Sequence, residues 1–307
     1  MQSKTYSSSK AFDEGRRKKA LALIGRYALF LGPALLVYLP FLLYPLVQTF
    51  VLSFHEWNGV SEAKLFVGLD NFRRAFDDDI FRISITNNGI WVVASIALPM
   101  FFGLILAVML SKVQTGQRVY TGVFFAPVVI NLIVVGLVWG LIYNPLVGPL
   151  GQFFRAIGYP QLAQGWLGNT STATPAIVLA GNWTFFGFCT VIFLQGLRTV
   201  NPEQIEAAMM DGAGAVQRFR YVTVPALSNQ VTLLVVISVI GSFKVFDIVY
   251  VMTKGGPSHA SEVIATYMYW QSFENGRQGY GAALAVLLTL LVAGASIALV
   301  SLRERQN

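Results

Sequence analysis

Six times in 307 residues this chain runs apolar for more than twenty positions, at 27–54, 88–110, 119–143, 175–197, 226–253 and 280–302. About 20 apolar residues wound as α-helix, rising ~1.5 Å each, match the roughly 30 Å hydrocarbon core of a bilayer. No water reaches backbone N–H and C=O groups there, so each stretch must pair them internally as a helix. The sequence therefore predicts an all-α integral membrane protein with six transmembrane helices. Charged residues make up 12% of the chain, about half the roughly 25% usual in soluble domains. The first stretch is too long and begins too far from Met1 for a cleaved signal peptide, and no small-x-small cleavage site precedes it. It counts as helix one, with kinks expected at Pro33, Pro40 and Pro45.

An even number of crossings puts both termini on one side. Of the 22 Lys and Arg residues, 14 fall on that side, in 1–26, 111–118, 198–229 and 303–307. Seven fall opposite, in 55–87, 144–174 and 254–279, and Lys244 lies inside the fifth stretch. The positive-inside rule then makes both termini and the 198–229 segment cytoplasmic. The outer loops hold Trp57, Trp166, Trp270, the run Asp77-Asp78-Asp79 and a short amphipathic segment at 69–81 that suits an interfacial helix. A net charge of +7 gathers at the ends of apolar segments and forms no basic stripe with interleaved aromatics. Membrane lipid, and no nucleic acid, is the partner this implies.

Enzyme chemistry has little to work with. No GxxxxGK[ST] phosphate loop is present, so ATP binding or hydrolysis by this chain is not expected. His55 and His259 stand in outer loops far apart in sequence and read as solvated histidines, and the three consecutive aspartates read as solvated acids, so no metal site is expected. The single cysteine, Cys189, lies in an apolar run and excludes an intrachain disulfide. Lys244 and Asp247, three apart, would share a helix face near the outer boundary, as an interfacial ion pair or as a proton relay. The same stretch carries Ser238, Gly241 and Ser242, small residues that suit close helix packing or a polar path. In the fourth stretch, GNWTFFGF offers Asn182, Trp183, Thr184, Phe185 and Phe188. Amide, hydroxyl and ring faces together suit a sugar, although Asn182 and Trp183 also suit packing and interfacial anchoring. Gly136 and Gly140 give a GxxxG spacing that marks packing only.

Between the fourth and fifth stretches lies a polar island, EAAMMDGAGAVQRFRYVTVP, at 206–225. Asn201 suits a helix N-cap, Pro202 the first helical position and Gln204 the third residue of a capping box. The helix should run to Asp211-Gly212, where glycine can take the left-handed conformation that ends it. A second helical segment is expected at 215–221, before Pro225 opens the next apolar run.

This island resembles the EAA loop of ATP-binding-cassette importer permeases, in which EAA, three residues, Gly, nine residues and an aliphatic-x-aliphatic-Pro follow in order. Here the positions are Glu206, Ala207, Ala208, Gly212, Val222, Val224 and Pro225, with valine replacing the usual isoleucine and leucine. FDIVYVMTKGGP at 246–257, followed by Tyr280-Gly281-Ala282-Ala283, and the opening LGPALLVYLPFLLYPLVQTFVLSF resemble the maltose-transporter-like branch, the carbohydrate uptake transporter-1 family. The resemblance implies a permease half at 27–302 flanked by a basic tail, 1–26, and a short end, 303–307. It would pair with a second, homologous permease, two ATP-binding subunits that hold ATP and Mg, and an extracytoplasmic solute-binding protein, in a bacterial or archaeal cytoplasmic membrane. The loop 201–225 would dock on the ATPase through Glu206, Ala207, Ala208, Asp211, Gly212 and Pro225, and a sugar would pass along the fourth and fifth spans. The competing expectation is a self-contained ion-coupled carrier using Lys244 and Asp247. Intramembrane charge is scarce and no internal repeat is evident, which weighs against it.

Overall fold

The computed structural model describes Tyr27 and residues 30–304. The expected cytoplasmic tail, 1–26, and residues 305–307 of the C-terminal end lie outside the described residues. The chain divides into two compact units at Leu52/Ser53. In the first, α1 (Phe30–Leu52) is a single apolar helix with no buried residue. Its prolines leave their mark as one π-turn, Leu39–Leu43, closed by the Tyr44 N–H on the Leu39 carbonyl. A wider turn accommodates the rings where an α-turn would clash.

The second unit opens with a two-residue antiparallel ribbon, His55–Glu56 on Leu65–Phe66. Then follow α2 (Asp70–Asp77), α3 (Asp79–Ser111), α4 (Gln117–Phe125), α5 (Leu132–Ile142), α6 (Pro149–Ala156) and α7 (Ala173–Arg198). Next come α8 (Pro202–Met210), α9 (Ala215–Ala226), α10 (Ser228–Phe243), α11 (Asp247–Met252), α12 (Ile264–Tyr269) and α13 (Gln278–Glu304). The chain is thus mostly helical. Four helices, α1, α3, α7 and α13, are long and apolar enough to cross a membrane. The number rises to six if the bent pairs α4–α5 and α9–α10 each make one crossing.

Three expectations need correction. The third apolar stretch is not one helix: a 3-10 turn at Ala126–Val129 and an extended Ile130 bend it by 96°, after which Asn131 caps α5 by accepting from the Ile133 N–H. The fifth is not one helix either, because it bends by 64° at Leu227 and stops at Phe243, restarting at Asp247. The amphipathic segment at 69–81 is cut at Asp78, whose side chain caps α3 by accepting from the N–H groups of Ile80 and Phe81. An aspartate in extended conformation ends one helix and starts another.

The core forms where α3 crosses α7. In lipid, apolar burial alone does not drive helices together, so close packing must supply the attraction. Glycines allow it: a Cβ on Gly103 would sit 2.6 Å from the Cys189 Cβ, and one on Gly187 would sit 2.0 Å from the Phe124 carbonyl oxygen. Trp91, Ile177, Ile248 and Val249 fill one core region and Ala107, Cys189, Phe193 and Leu234 another. Within the GxxxG pair, Gly136 packs on Val251 and Met252, whereas a Cβ on Gly140 would meet nothing within 4 Å.

Candidate functional site

The break between α10 and α11 opens a cavity of about 490 Å³ bounded by α3, α5, α7, α10 and α11. Seven of the nine expected pathway residues line it: Asn182, Thr184 and Phe185 from α7, Ser238, Gly241 and Ser242 from α10, and Asp247 from the start of α11. Trp183 does not. It lies in an apolar cavity of about 570 Å³, where its ring meets Trp139 edge-on at 6.0 Å. Phe188 lines neither space and stacks on Phe185 at 5.4 Å. The helical rotation of about 100° per residue separates these neighbours onto different faces.

Lys244 and Asp247 do not share a helix face. The Lys244 N–H closes α10 on the carbonyls of Ile240 and Gly241, and Phe246, at φ −142 and ψ −60, is neither helical nor extended before α11 begins. Both residues line the cavity, yet no ion pair joins them among the described residues. Phe246 starts a run of rings that continues through Tyr250 (5.3 Å) and Tyr269 (5.2 Å) to the exposed Phe273 (5.1 Å).

The polar groups in the wall are partly committed. Ser242 Oγ donates to the Ser238 carbonyl at 2.7 Å, Ser238 Oγ to the Ser95 carbonyl at 3.1 Å, and Thr184 Oγ1 to the Gly181 carbonyl at 2.8 Å. Asn182 Nδ2 donates to the Val178 carbonyl at 2.9 Å. What remains for a ligand is mainly acceptor capacity, in the hydroxyl lone pairs and Asn182 Oδ1, together with the second Nδ2–H. Such a wall has the acceptor capacity to pair with hydroxyl donors.

Sequence reasoning missed the groups that hold this wall. Asn88, fully buried, donates from Nδ2 to the Ser242 carbonyl at 2.9 Å and accepts at Oδ1 from the Ile264 N–H at 3.0 Å. Its neighbour Asn87 donates to the carbonyls of Ala260 and Glu262, both at 2.8 Å, and Thr174 Oγ1 also reaches Ala260. The available signal was two adjacent amides at the start of an apolar stretch, a costly arrangement unless each is paired.

Two loop readings also change. His259 is only partly exposed, and its Nδ1 lies 2.9 Å from Glu262 Oε2, whose side chain is fully buried. Burial pushes the Glu262 carboxyl above the usual carboxylate range, against the opposing pull of Thr266 and His259. Nor is the Asp77–Asp79 run simply solvated. Asp79 pairs with Arg82, and Asp78 accepts from the phenols of Tyr267 and Tyr280 as well as capping α3. Burial alone would raise the Asp78 carboxyl, but the hydrogen bonds from Tyr267, Tyr280, Ile80 and Phe81 together outweigh it and hold the pKa below its ordinary value.

At the opposite end of α7, the 201–225 loop follows its local signals closely. Asn201 Oδ1 accepts from the Glu203 N–H at 2.9 Å and Pro202 opens α8, although no capping box with Gln204 forms. Gly212, at φ +78, ends the helix: its N–H meets the Met209 carbonyl and the Ala213 N–H meets the Ala208 carbonyl. This paired closure is the Schellman arrangement. α9 then starts at once, with the Gly214 N–H on Gln217 Oε1 at 2.7 Å, and stays helical through a π-turn at Phe219–Thr223 and past Pro225. No residue of α8 is buried, and the Glu206 carboxylate has no hydrogen bond among the described residues. Met210 is 89% exposed and Val216 79%. Bulky apolar groups on an exposed, capped helix pair form a surface suited to a partner.

The family described as "Binding-protein-dependent transport system inner membrane component" matches residues 99–306. The "Probable ABC transporter permease protein YurN" of Bacillus subtilis (strain 168) is 37% identical over 271 residues, covering 88% of this chain and 92% of its own length. The "Alpha-glucoside transport system permease protein AglF" of Rhizobium meliloti (strain 1021) is 35% identical over 271 residues, covering 86% and 78%. A bacterial ABC transporter involved in the import of the acidic polysaccharide alginate shares the fold, with a TM-score of 0.77 at 20% identity over 96% of this chain and 99% of that one.

Proposed function

Because the chain belongs to the family of binding-protein-dependent transport system inner membrane components, we propose that it is the permease half of an ATP-driven sugar importer. It crosses a bacterial or archaeal cytoplasmic membrane six times with both termini inside, and forms one side of the pathway beside a second, homologous permease. Two separate ATPase subunits bind ATP and Mg and engage the 201–225 loop, and an extracytoplasmic binding protein delivers the solute. The permease itself carries out no chemical reaction.

The observation that carries this reading is the pairing of an acceptor-rich cavity, lined in part by α7 and α10, with an exposed, doubly capped helix in the loop that joins those two elements. In the cavity, Asn182, Ser238 and Ser242 exchange transient hydrogen bonds with sugar hydroxyls while the rings near Phe246 cover apolar C–H faces. At the loop, Ala207 and Ala208 keep α8 slim for docking, and Glu206 offers a charge-assisted bond to a partner. Gly212 fixes the turn in a conformation other residues adopt only with strain.

The test is uptake in vesicles reconstituted with the full transporter. Uptake should require ATP and should be abolished by Glu206→Lys and by Gly212→Pro, with both variants still inserted in the membrane. Proline cannot reach φ +78 and lacks the N–H that closes α8 on Met209. Normal uptake in both variants, with normal co-purification of the ATPase, would refute the coupling role. Uptake driven by an ion gradient without ATP would select the self-contained carrier instead.

A further inference from the structure

A separate cavity of about 460 Å³ lies between the first turns of α4 and the last turns of α7. Its rim carries Arg118, Arg198, Gln195 and Thr121, whereas Phe125, Val191 and Leu194 form an apolar floor. Arg198 Nη2 donates to Gln117 Oε1 at 2.7 Å, and Gln117 Nε2 donates in turn to the Leu110 carbonyl at 2.7 Å. That chain holds one guanidinium at the mouth while its other N–H groups stay uncommitted among the described residues. Neither arginine has a carboxylate within 4.0 Å among those residues.

The two arginines stand in opposite electrostatic settings. Arg198 closes α7, where a cation is welcome at the negative end of the helix dipole. Arg118 sits in the first turn of α4, where a cation is disfavoured; that turn has no acidic residue and Gly116 supplies no side-chain cap. Two cations and an uncapped helix start therefore share one mouth without a counter-ion. An anion bound there would offset Arg118 and the uncapped α4 start while bridging to Arg198, and guanidinium geometry favours phosphate oxygens. A free phosphate would leave the apolar floor bare, whereas a lipid fills it with hydrocarbon.

We propose that this cavity binds an anionic phospholipid, with Arg118 and Arg198 holding the headgroup phosphate and an acyl chain lying over Phe125, Val191 and Leu194. The site goes beyond the transport reading and stands whatever solute the other cavity takes. Basic pockets between helices at a membrane boundary are suited to such headgroups.

The test titrates phosphatidylglycerol into the delipidated full transporter and counts bound lipid by native mass spectrometry. Wild type should hold it more tightly than phosphatidylcholine. Arg118→Gln with Arg198→Gln should weaken binding on the order of thirtyfold, from roughly one cation's attraction each. Lys112→Gln removes an exposed cation that does not line the cavity and should change nothing. Gly122→Leu fills the cavity at a position where a Cβ meets nothing within 4 Å, and should expel the lipid with both arginines in place. Equal loss in the Lys112 and arginine variants would overturn the site, as would full binding by Gly122→Leu. Displacement by millimolar inorganic phosphate would assign free phosphate and overturn the lipid assignment. The glycine variant keeps the test decisive if the arginine pair impairs assembly.

Discussion

Asn182 is buried, yet half of its amide is uncommitted, and this determines what its loss should do. Asn182→Ala and Ser242→Ala should each lower uptake per assembled transporter by about 2–10-fold, the value of one hydrogen bond of ~0.5–1.5 kcal/mol, while the amount assembled holds. Uptake normalised to purified complex checks this, and a proportional fall in both quantities would assign the residues to packing. Asp78 carries a pH signature. Its folded pKa lies below the unfolded one, so its stabilisation is present above the unfolded value near 4 and is lost as pH falls through the folded value. Proteolysis of the outer loops between pH 6 and 2 should show an acid transition that Asp78→Asn removes. Residues whose roles are local were legible in the sequence: Asn201, Pro202 and Gly212 act on atoms within a few positions of themselves. Asp78 and Asn88 were not, because their partners Tyr267, Tyr280, Ser242 and Ile264 are more than 150 positions away.

Among elements, the α10–α11 break does most to shape the cavity, and Asn88 on α3 holds both α10 and α12 beside it. Asn88→Ala would strand the Ser242 carbonyl and the Ile264 N–H, at a cost of about 1–3 kcal/mol for each group left unpaired. The purified transporter should melt several degrees lower, and uptake should fall further than Asn182→Ala alone achieves. An unchanged melting temperature would mean that water or lipid replaces the amide. Each apolar stretch falls on a helix or a broken helix pair, but the sequence did not mark the breaks. Residues 243–247 contain no proline or glycine, so nothing local announces that α10 ends there; the interruption depends on tertiary contacts. The α4–α5 bend did leave a trace, since Pro127 and Asn131 interrupt an otherwise apolar run. Hydropathy also hid the true length of α3, which begins at Asp79 because helix continues beyond its apolar section.

For the whole molecule, the orientation drawn from basic residues can be measured directly. With Cys189→Ala as background, an impermeant thiol reagent applied outside should label Ser61→Cys and Thr170→Cys but not Met210→Cys until the membrane is opened. Labelling of position 210 from outside would overturn the six-crossing arrangement. The arrangement of the loop has a mechanical consequence. Only residues 199–201 separate α7 from α8, and α9 runs helical from Ala215 to its bend at Leu227, where α10 begins. α7 carries Asn182 and α10 carries Ser238 and Ser242, so on the proposed coupling both jaws of the cavity are worked from one short handle. Under that proposal, force applied to α8 would be divided between the jaws, because the links on either side of it are short. Glycine spacers inserted at 199–201 should therefore let ATP be spent without moving solute. Under that proposal the linkage also runs backwards: a solute that props the jaws apart would load α8, so the distant end of the loop would feel whether the cavity is full.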